Sequence, residues 1–147
     1  MVTSLLVKLS RVCMIYKRIL FLPELLEKKS FFLLGPRATG KSFLINTQLG
    51  DKSLIINLLQ SDIFLRLSIN PTEVESMVAA SAYKLVVIDE IQRIPELLNE
   101  VHRLIESKNI TFLLTGSSAR KLKRRDVNLL AGRAWQANLF PLVSKEI

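Results

Sequence analysis

The chain has 147 residues, of which 49% are hydrophobic and 23% are charged, and this composition predicts one folded domain and argues against intrinsic disorder. Its one cysteine, Cys13, excludes an intramolecular disulfide, and the single histidine leaves no Cys/His zinc site, so a reducing, cytoplasmic setting is expected. No apolar run approaches the roughly 20 residues of a membrane span, and the net charge of +8 favours anionic partners such as nucleotides or nucleic acid.

The first part of the chain is predicted to be helical. An N-terminal extension is expected over 1–16, and a helical segment over 16–29 is interrupted or restarted at Pro23. The run "SFFLLG" at 30–35 is apolar and ends in glycine, which predicts a buried strand. A helix follows over about 41–49.

The next segment predicts one strand and two helices. The run "SLIINLL" at 53–59 predicts a second buried strand. The helix after it has Ser61 as its expected N-cap. A further helix over 70–82 is expected to use Asn70 as its N-cap, with Pro71 in its first turn.

The last part of the chain predicts three more strands. The run "KLVVIDE" at 84–90 is the third, and the most amphipathic helix of the chain then opens with Pro95 at its first position. A fourth strand at 110–118 is followed by a basic, helical segment that reaches Ala131, and the fifth strand is predicted at 135–142. Because apolar strands alternate with helices, we expect an α/β fold, a three-layer P-loop NTPase domain with a mostly parallel five-stranded sheet flanked by helices.

Residues 35–42, Gly-Pro-Arg-Ala-Thr-Gly-Lys-Ser, match the phosphate-binding P-loop pattern G-x-x-x-x-G-K-[ST] in full. Gly35 and Gly40 allow the backbone to turn tightly and to approach a phosphate chain, while the amides of the loop and the next helix point at the anion. Lys41 is predicted to neutralise the β- and γ-phosphates, and the Ser42 hydroxyl to ligate Mg²⁺. A buried strand before the motif and a helix after it argue against a chance glycine turn. The residues predicted to bind nucleotide are Gly35, Pro36, Arg37, Ala38, Thr39, Gly40, Lys41, Ser42 and Phe43.

Four apolar residues lead into two acids in "LVVIDE", at 85–90. A carboxylate at the carboxyl end of a buried strand lies where open α/β sheets bind their ligands, beside the P-loop. Asp89 is therefore predicted to hold the magnesium ion, and Glu90 to polarise the attacking water as general base. Alone, the stretch would be interpreted as a cap between a strand and a helix, but the P-loop favours the catalytic interpretation.

The acidic pair Asp89-Glu90 resembles that of ATPases of the additional-strand, catalytic-glutamate division, and the base-reading N-K-x-D of GTPases is absent. The resemblance implies a strand in space between the P-loop strand and the Asp-Glu strand, which 110–118 supplies. It also implies a polar residue at the end of that strand that contacts the γ-phosphate or the lytic water. Thr115 has the matching place and Ser117 is the alternate, while a simple turn and helix cap explains these residues equally well.

Five segments, "LLGPRATGKS", "LVVIDEIQRIPELL", "FLLTGSSARKLKR", "NLLAGRA" and "LFPL", occur in this order. Together they resemble the AAA-like ATP-binding domain of a widespread group of prokaryotic ATPases of mostly unassigned cellular role, over 17–147. The resemblance implies ATP and Mg²⁺ as cofactors. Members usually carry a C-terminal domain of unknown function, whereas this sequence stops at "LFPLVSKEI", so nucleotide binding is implied more directly than hydrolysis.

Two cationic features accompany these motifs. Arg133, in "AGRA", is a candidate catalytic arginine that stabilises charge developing on the transferred phosphoryl group, in cis or across a subunit interface, and its alternative is a surface position after a helix end. The basic segment 120–125 holds five cations in six residues. It is compatible with binding nucleic-acid phosphates, although such a run is more often a solvated face.

The leading hypothesis is an ATP-binding, Mg-dependent P-loop ATPase that hydrolyses ATP to ADP and phosphate. The alternative is a non-hydrolysing, nucleotide-gated module whose basic segment engages nucleic acid or a partner protein. A small-molecule kinase is less favoured because no acceptor pocket is readable, and AAA-like relatives suggest a homo-oligomer. The residues assigned to catalysis are Glu90, Lys41, Thr115 and Arg133, and those assigned to the metal are Ser42 and Asp89.

Overall fold

The computed structural model describes residues 20–117, 120, 122 and 134–139. Within these residues, helices and strands follow one another in the predicted order, while the helical segment predicted between the fourth and fifth strands lies almost entirely outside them. The strands are β1 (Ser30–Leu34), β2 (Leu54–Asn57), β3 (Leu85–Asp89), β4 (Thr111–Gly116) and β5 (Ala134–Asn138). The helices are α1 (Leu22–Lys28), α2 (Lys41–Leu49), α3 (Ser61–Ile69), α4 (Glu73–Ser81) and α5 (Leu97–Lys108), with a 3₁₀ turn at Ile91–Arg93.

The five strands form one parallel sheet in the order β2-β3-β4-β1-β5. Strand β4 lies between β1 and β3, which confirms the predicted position of 110–118. In the register, Leu113 of β4 pairs with Phe31 of β1 on one side and with Val87 of β3 on the other. The carboxyl ends of these three strands therefore meet at one edge of the sheet, where the P-loop and the acidic pair begin.

Side chains alternate between the two faces of the sheet, and each face carries its own core. One core joins the sheet to α3, α4 and α5 and includes Phe32, Ile88, Phe112, Leu67, Val74 and Leu104. The other joins the sheet to α1 and α2 and includes Phe31, Leu33, Leu113, Leu22, Leu44 and Leu49. Helices thus cover both faces, and the predicted three-layer α/β architecture is confirmed.

Two predicted N-caps are wrong. Helix α3 begins one residue early, with Gln60 at the N-cap and Ser61 inside the first turn. Helix α4 begins late, with Thr72 at the N-cap in place of Asn70. The Glu73 amide donates to the Asn70 carbonyl at 3.1 Å, and this three-residue closure forms a separate turn before the α-helix starts.

Other predicted boundaries shift for similar local reasons. Pro95 lies just outside α5, whose N-cap is Glu96, because the Leu98 amide donates to the Pro95 carbonyl at 3.0 Å and closes a tight turn. Strand β2 ends at Asn57, short of the predicted 53–59, because Asn57 Oδ1 accepts from the Leu59 amide at 2.9 Å and turns the chain.

Strands β3 and β4 also end earlier than predicted, and β5 begins at Ala134, one residue before its predicted start. Strand β3 stops at Asp89 and β4 stops at Gly116, so Glu90 and Ser117 lie in turns rather than in the predicted strands 84–90 and 110–118. Helix α1 starts at Leu22 with Pro23 in its first turn, and residues 16–19 of the predicted helical segment lie outside the described residues. Helix α2 has the predicted bounds.

Several predictions lie outside the described residues. They concern the N-terminal extension 1–16, most of the basic segment 120–125, Arg133, and the last three residues of the predicted strand 135–142. Within the basic segment, Arg120 is exposed and Leu122 is fully buried in the core. Among the helices of the described part of the chain, none has both the length and the apolar character that crossing a bilayer requires.

Candidate nucleotide site

The loop between β1 and α2 contains the P-loop motif and turns on left-handed residues. Gly40 is the N-cap of α2 and has a φ of 82°, a conformation that glycine adopts without strain. Ala38 is also left-handed, with a φ of 61°. Because Gly40 provides no capping side chain, the first amides of α2 are available to an anion.

Position 35 has no room for a side chain, which the sequence did not reveal. Among the described glycines only Gly40 has a positive φ, so Gly35 needs no left-handed freedom. A Cβ at Gly35 would lie 2.1 Å from the carbonyl oxygen of Leu139. The Leu139 amide in turn donates to the Leu34 carbonyl at 2.7 Å. Gly35 therefore allows the backbone after β5 to pass directly against the loop.

Lys41 is buried beneath the loop, with 6% of its surface exposed. Its Nζ donates to the carbonyl oxygens of Gly35 at 2.7 Å and Pro36 at 2.8 Å. Burial lowers the pKa of Lys41 from its ordinary value, and the negative charges of Glu90 and Asp89 oppose that change. The ammonium group is thus held by the loop carbonyls, within the electrostatic influence of both acids.

The loop also closes on itself through Thr39. Thr39 is buried, and its hydroxyl donates to the Pro36 carbonyl at 2.9 Å. Arg37 and Phe43 are exposed on either side of this closure. The loop is therefore internally fixed while its outer side chains remain accessible.

A cavity of about 380 Å³ opens over the loop. Its lining combines residues of the loop and of the first turn of α2 with Leu59 and Glu90. The lining residues are Arg37, Ala38, Thr39, Gly40, Lys41, Ser42, Phe43, Leu59 and Glu90. Eight positions predicted from sequence to act in nucleotide binding or catalysis thus share one space.

Ser42 and Asp89 connect the P-loop to the acidic strand. Ser42 Oγ donates to Asp89 Oδ2 at 3.3 Å across 47 residues of sequence. Asp89 is 7% exposed, and its carboxylate is fixed from the other side by the Thr115 hydroxyl. A second cavity of about 330 Å³ lies against this junction and is lined by Ser42, Ile45, Asn46, Ile55, Asn57, Gln60, Val87 and Asp89.

The donor set at this junction fits a magnesium ion. A hydroxyl and a carboxylate are hard oxygen ligands, and Mg²⁺ is usually held by one or two protein groups together with substrate phosphates and water. Within the described residues, no group of three or more His, Cys, Asp or Glu side chains is arranged to hold a metal ion by itself. Ser42 and Asp89 therefore suit a cation that arrives with a phosphate-bearing ligand.

Thr115 links the two acids at the end of β4. Its hydroxyl donates to Asp89 Oδ1 and accepts from the Glu90 amide at 3.1 Å. The residue is fully buried. Its hydroxyl is thus directed at the acidic pair, and the predicted contact with the γ-phosphate or the lytic water stays a prediction.

Glu90 begins the turn that follows β3 in an unusual conformation. Its φ is 64° and its ψ is 46°, in the left-handed region that side-chain-bearing residues rarely adopt. Gln92 Nε2 donates to Glu90 Oε2 and also to Ser117 Oγ at 3.3 Å. Two residues that the sequence did not single out, Leu59 and Gln92, thus contact the cavity or its acid, and the only signal for Gln92 was its position two residues after Glu90.

A family model described as "AAA domain" matches residues 27–147 of the chain. No protein of curated function matches it.

Solved structures with the same fold include katanin, from work on the structural basis of katanin self-assembly, with a TM-score of 0.53 and 14% identity. Drosophila ORC bound to AT-rich DNA and Cdc6 has a TM-score of 0.52 and 13% identity. The replication initiator DnaA bound to AMPPCP and single-stranded DNA has a TM-score of 0.53 and 14% identity.

These structures are longer than the chain. The similarity covers 82%, 85% and 84% of this chain but 46%, 56% and 45% of the katanin, ORC and DnaA chains respectively. The chain thus spans about half the length of the structures it matches, and at this level of identity the likeness concerns the fold alone.

Proposed function

The chain belongs to the AAA domain family, a P-loop ATPase-like group of nucleotide-binding domains, and from that premise we propose that it binds ATP with Mg²⁺ and hydrolyses it to ADP and phosphate. One observation carries the proposal. Residues 37–42 of the P-loop and Glu90 line the same cavity of about 380 Å³, and the Ser42–Asp89 hydrogen bond joins their two elements. A triphosphate in this space would meet a cation, open helix amides and a carboxylate together.

Phosphate binding is assigned to Lys41 and the amides at the start of α2. The Lys41 ammonium donates to two loop carbonyls, so it is directed at the inside of the loop. Phosphate oxygens are stronger acceptors than neutral carbonyls, since they carry charge. We expect Lys41 to exchange these contacts for contacts to the bound phosphates, with Arg37 and Phe43 at the outer side of the cavity.

Metal binding is assigned to Ser42 and Asp89. The ion, when bound, would neutralise charge on the phosphates and polarise the group that is transferred. The contribution of the chain is to keep both oxygen ligands together: the Thr115 hydroxyl fixes one oxygen of Asp89 and the Ser42 hydroxyl contacts the other.

Water activation is assigned to Glu90. It lines the same cavity as Lys41, and its main-chain amide is anchored by Thr115. A carboxylate held at this position accepts the proton of a water molecule as that water attacks the terminal phosphorus. Thr115 is thereby a positioning residue for both acids.

Three further assignments extend this proposal. Arg133 is proposed to stabilise charge on the transferred phosphoryl group, from the same chain or from a neighbouring copy. Residues 17–147 are proposed to form the ATP-binding domain after an extension of 1–16. We also propose that the chain self-associates and that the basic segment 120–125 binds nucleic acid. Among the structures with this fold, self-assembly is described for katanin and binding of single-stranded DNA for DnaA.

Steady-state ATP hydrolysis tests the proposal. The wild-type chain and Glu90→Gln are assayed with Mg²⁺ and with EDTA, and each with and without DNA. We expect Mg-dependent turnover in the wild type and a loss of about 10²–10⁴-fold in Glu90→Gln, which is the usual contribution of a general base. Equal turnover in both proteins would contradict the assignment. ATP binding without turnover in the wild type would favour the nucleotide-gated alternative.

A further inference from the structure

Gln92 lies in the 3₁₀ turn after the acidic pair and holds the carboxylate of Glu90. Its Nε2 donates to Glu90 Oε2, and the same nitrogen donates to Ser117 Oγ at 3.3 Å. Both acceptors are oxygens that face one amide nitrogen. This arrangement determines the orientation of the Gln92 amide, because a flipped amide would place its carbonyl oxygen against the Glu90 carboxylate.

The carbonyl oxygen of the Gln92 amide lies in an unfavourable environment. Gln92 Oε1 is buried and has no hydrogen-bond partner among the described residues. A buried acceptor without a partner destabilises a fold. The side chain keeps this orientation because its nitrogen makes both bonds, to Glu90 and to Ser117.

Gly116 leaves the space that this amide occupies. A Cβ at Gly116 would lie 2.8 Å from Gln92 Oε1, and its next neighbour, Leu34 Cδ2, would be at 3.4 Å. Gly116 has no positive φ, so its backbone would accept alanine. The closest obstacle to a side chain at the end of β4 is therefore the Gln92 amide.

We propose that Gln92 is a positioning residue for ATP hydrolysis: it fixes one oxygen of Glu90 so that the other is presented to the attacking water, and it ties this carboxylate to the end of β4 through Ser117. The proposal rests on the function proposed above, since it assigns a role to Gln92 only through Glu90. It adds that the identity of Gly116 is part of the same arrangement.

The main-chain conformation of Glu90 explains why such support is needed. Its left-handed φ of 64° aims the residue away from the regular path of β3, and Thr115 anchors only its amide. The side chain has three rotatable bonds beyond that anchor. Gln92 supplies the remaining contact, and a general base that is misplaced by about 1 Å loses on the order of a hundredfold in rate.

The test compares Gln92→Met with Gln136→Met. Methionine keeps the length of the side chain and removes the amide donor, and Gln136 is an exposed glutamine on β5, outside the site. We expect Gln92→Met to lower kcat by about tenfold to a hundredfold, with the Kd for Mg-ATP within about twofold of wild type. Gln136→Met is expected to keep both values.

A second arm uses Gly116→Ala in the wild type and in Gln92→Ala. If the Gln92 amide is what Gly116 accommodates, the alanine lowers kcat in the wild type and has no further effect once Gln92 is truncated. A purely structural role would instead lower the melting temperature and weaken Mg-ATP binding together, and would make the two substitutions additive.

The possible outcomes distinguish a failure of the Gln92 role from a failure of the proposed ATP hydrolysis. A wild-type chain that turns over no faster than Glu90→Gln overturns both. A wild-type chain that turns over normally while Gln92→Met matches it, or exceeds it, overturns the role of Gln92 alone. Reduced kcat with unchanged Kd, together with non-additivity at Gly116, supports it.

Discussion

Ser42 Oγ donates to Asp89 Oδ2 at 3.3 Å, and this bond joins the first turn of α2 to the end of β3. The two residues are 47 positions apart in the sequence. They meet because the parallel strands β1 and β3 end at the same edge of the sheet, with β4 between them. The fold itself thereby pairs the hydroxyl with the carboxylate. A site prepared in this way avoids the cost of ordering its ligands at the moment of binding.

Lys41→Ala is expected to weaken ATP binding by about tenfold to a hundredfold, because the buried ammonium group that would donate to the phosphates is removed. Isothermal titration calorimetry measures the effect. Lys52→Ala, which removes an exposed lysine, is the matched control and should bind as the wild type does. Similar affinity in Lys41→Ala and wild type would remove Lys41 from the phosphate site.

Gly35→Ala is expected to lower the free energy of unfolding by about 1–3 kcal/mol, because its Cβ would overlap a main-chain oxygen that cannot move aside easily. The contact is the one to Leu139, at 2.1 Å. Chemical denaturation measures it. Gly116→Ala, whose Cβ would meet side-chain atoms, Gln92 Oε1 at 2.8 Å and Leu34 Cδ2 at 3.4 Å, should destabilise less, and the reverse ranking would contradict the packing described after β5.

Glu75 predicts an acid-sensitive link between α4 and α5. Hydrogen bonds from Arg103 and then Lys108 lower the pKa of Glu75 from 4.5 to about 2. Because the folded-state pKa lies below the unfolded one, the stabilisation is complete above about pH 4.5 and is lost as the pH falls toward 2. Glu75→Gln should therefore reduce the dependence of the melting temperature on pH across this window.

The control for that experiment is Glu27→Gln, which changes an exposed glutamate on α1. The Glu75 network is itself exposed to solvent, so added salt should reduce the difference between wild type and Glu75→Gln. An unchanged acid profile in Glu75→Gln would show that Arg103 and Lys108 do not stabilise the fold through this carboxylate.

The parts of the fold that the sequence predicted are those set by local pattern. Apolar runs located the strands, and the P-loop spacing located the tight turn that contains Gly40 and the start of α2. The position of β4 followed from a resemblance, and the sheet order confirms it. Such features depend on a few adjacent residues and on the handedness of parallel connections.

The features that the sequence missed depend on contacts between distant segments or on competition within a turn. Position 35 must be glycine because the Leu139 carbonyl leaves no room for a Cβ, and no local sequence pattern predicts that contact. Asn70 is a residue type that is common at N-caps, yet its carbonyl accepts a hydrogen bond from the Glu73 amide in a turn that precedes the helix. The contacts of Gln92 join the turn after β3 to the end of β4, and they become visible only when both strands are placed.

Calorimetry of Mg-ATP binding to the wild type and to Asp89→Asn tests most directly whether the P-loop and the acidic strand bind one ligand. The account predicts measurable binding by the wild type that weakens by about tenfold or more when Mg²⁺ is replaced by EDTA, and an Asp89→Asn protein whose ATP affinity no longer depends on Mg²⁺. A wild-type chain that gives no heat with Mg-ATP, or an Asp89→Asn protein with undiminished dependence on Mg²⁺, would contradict it.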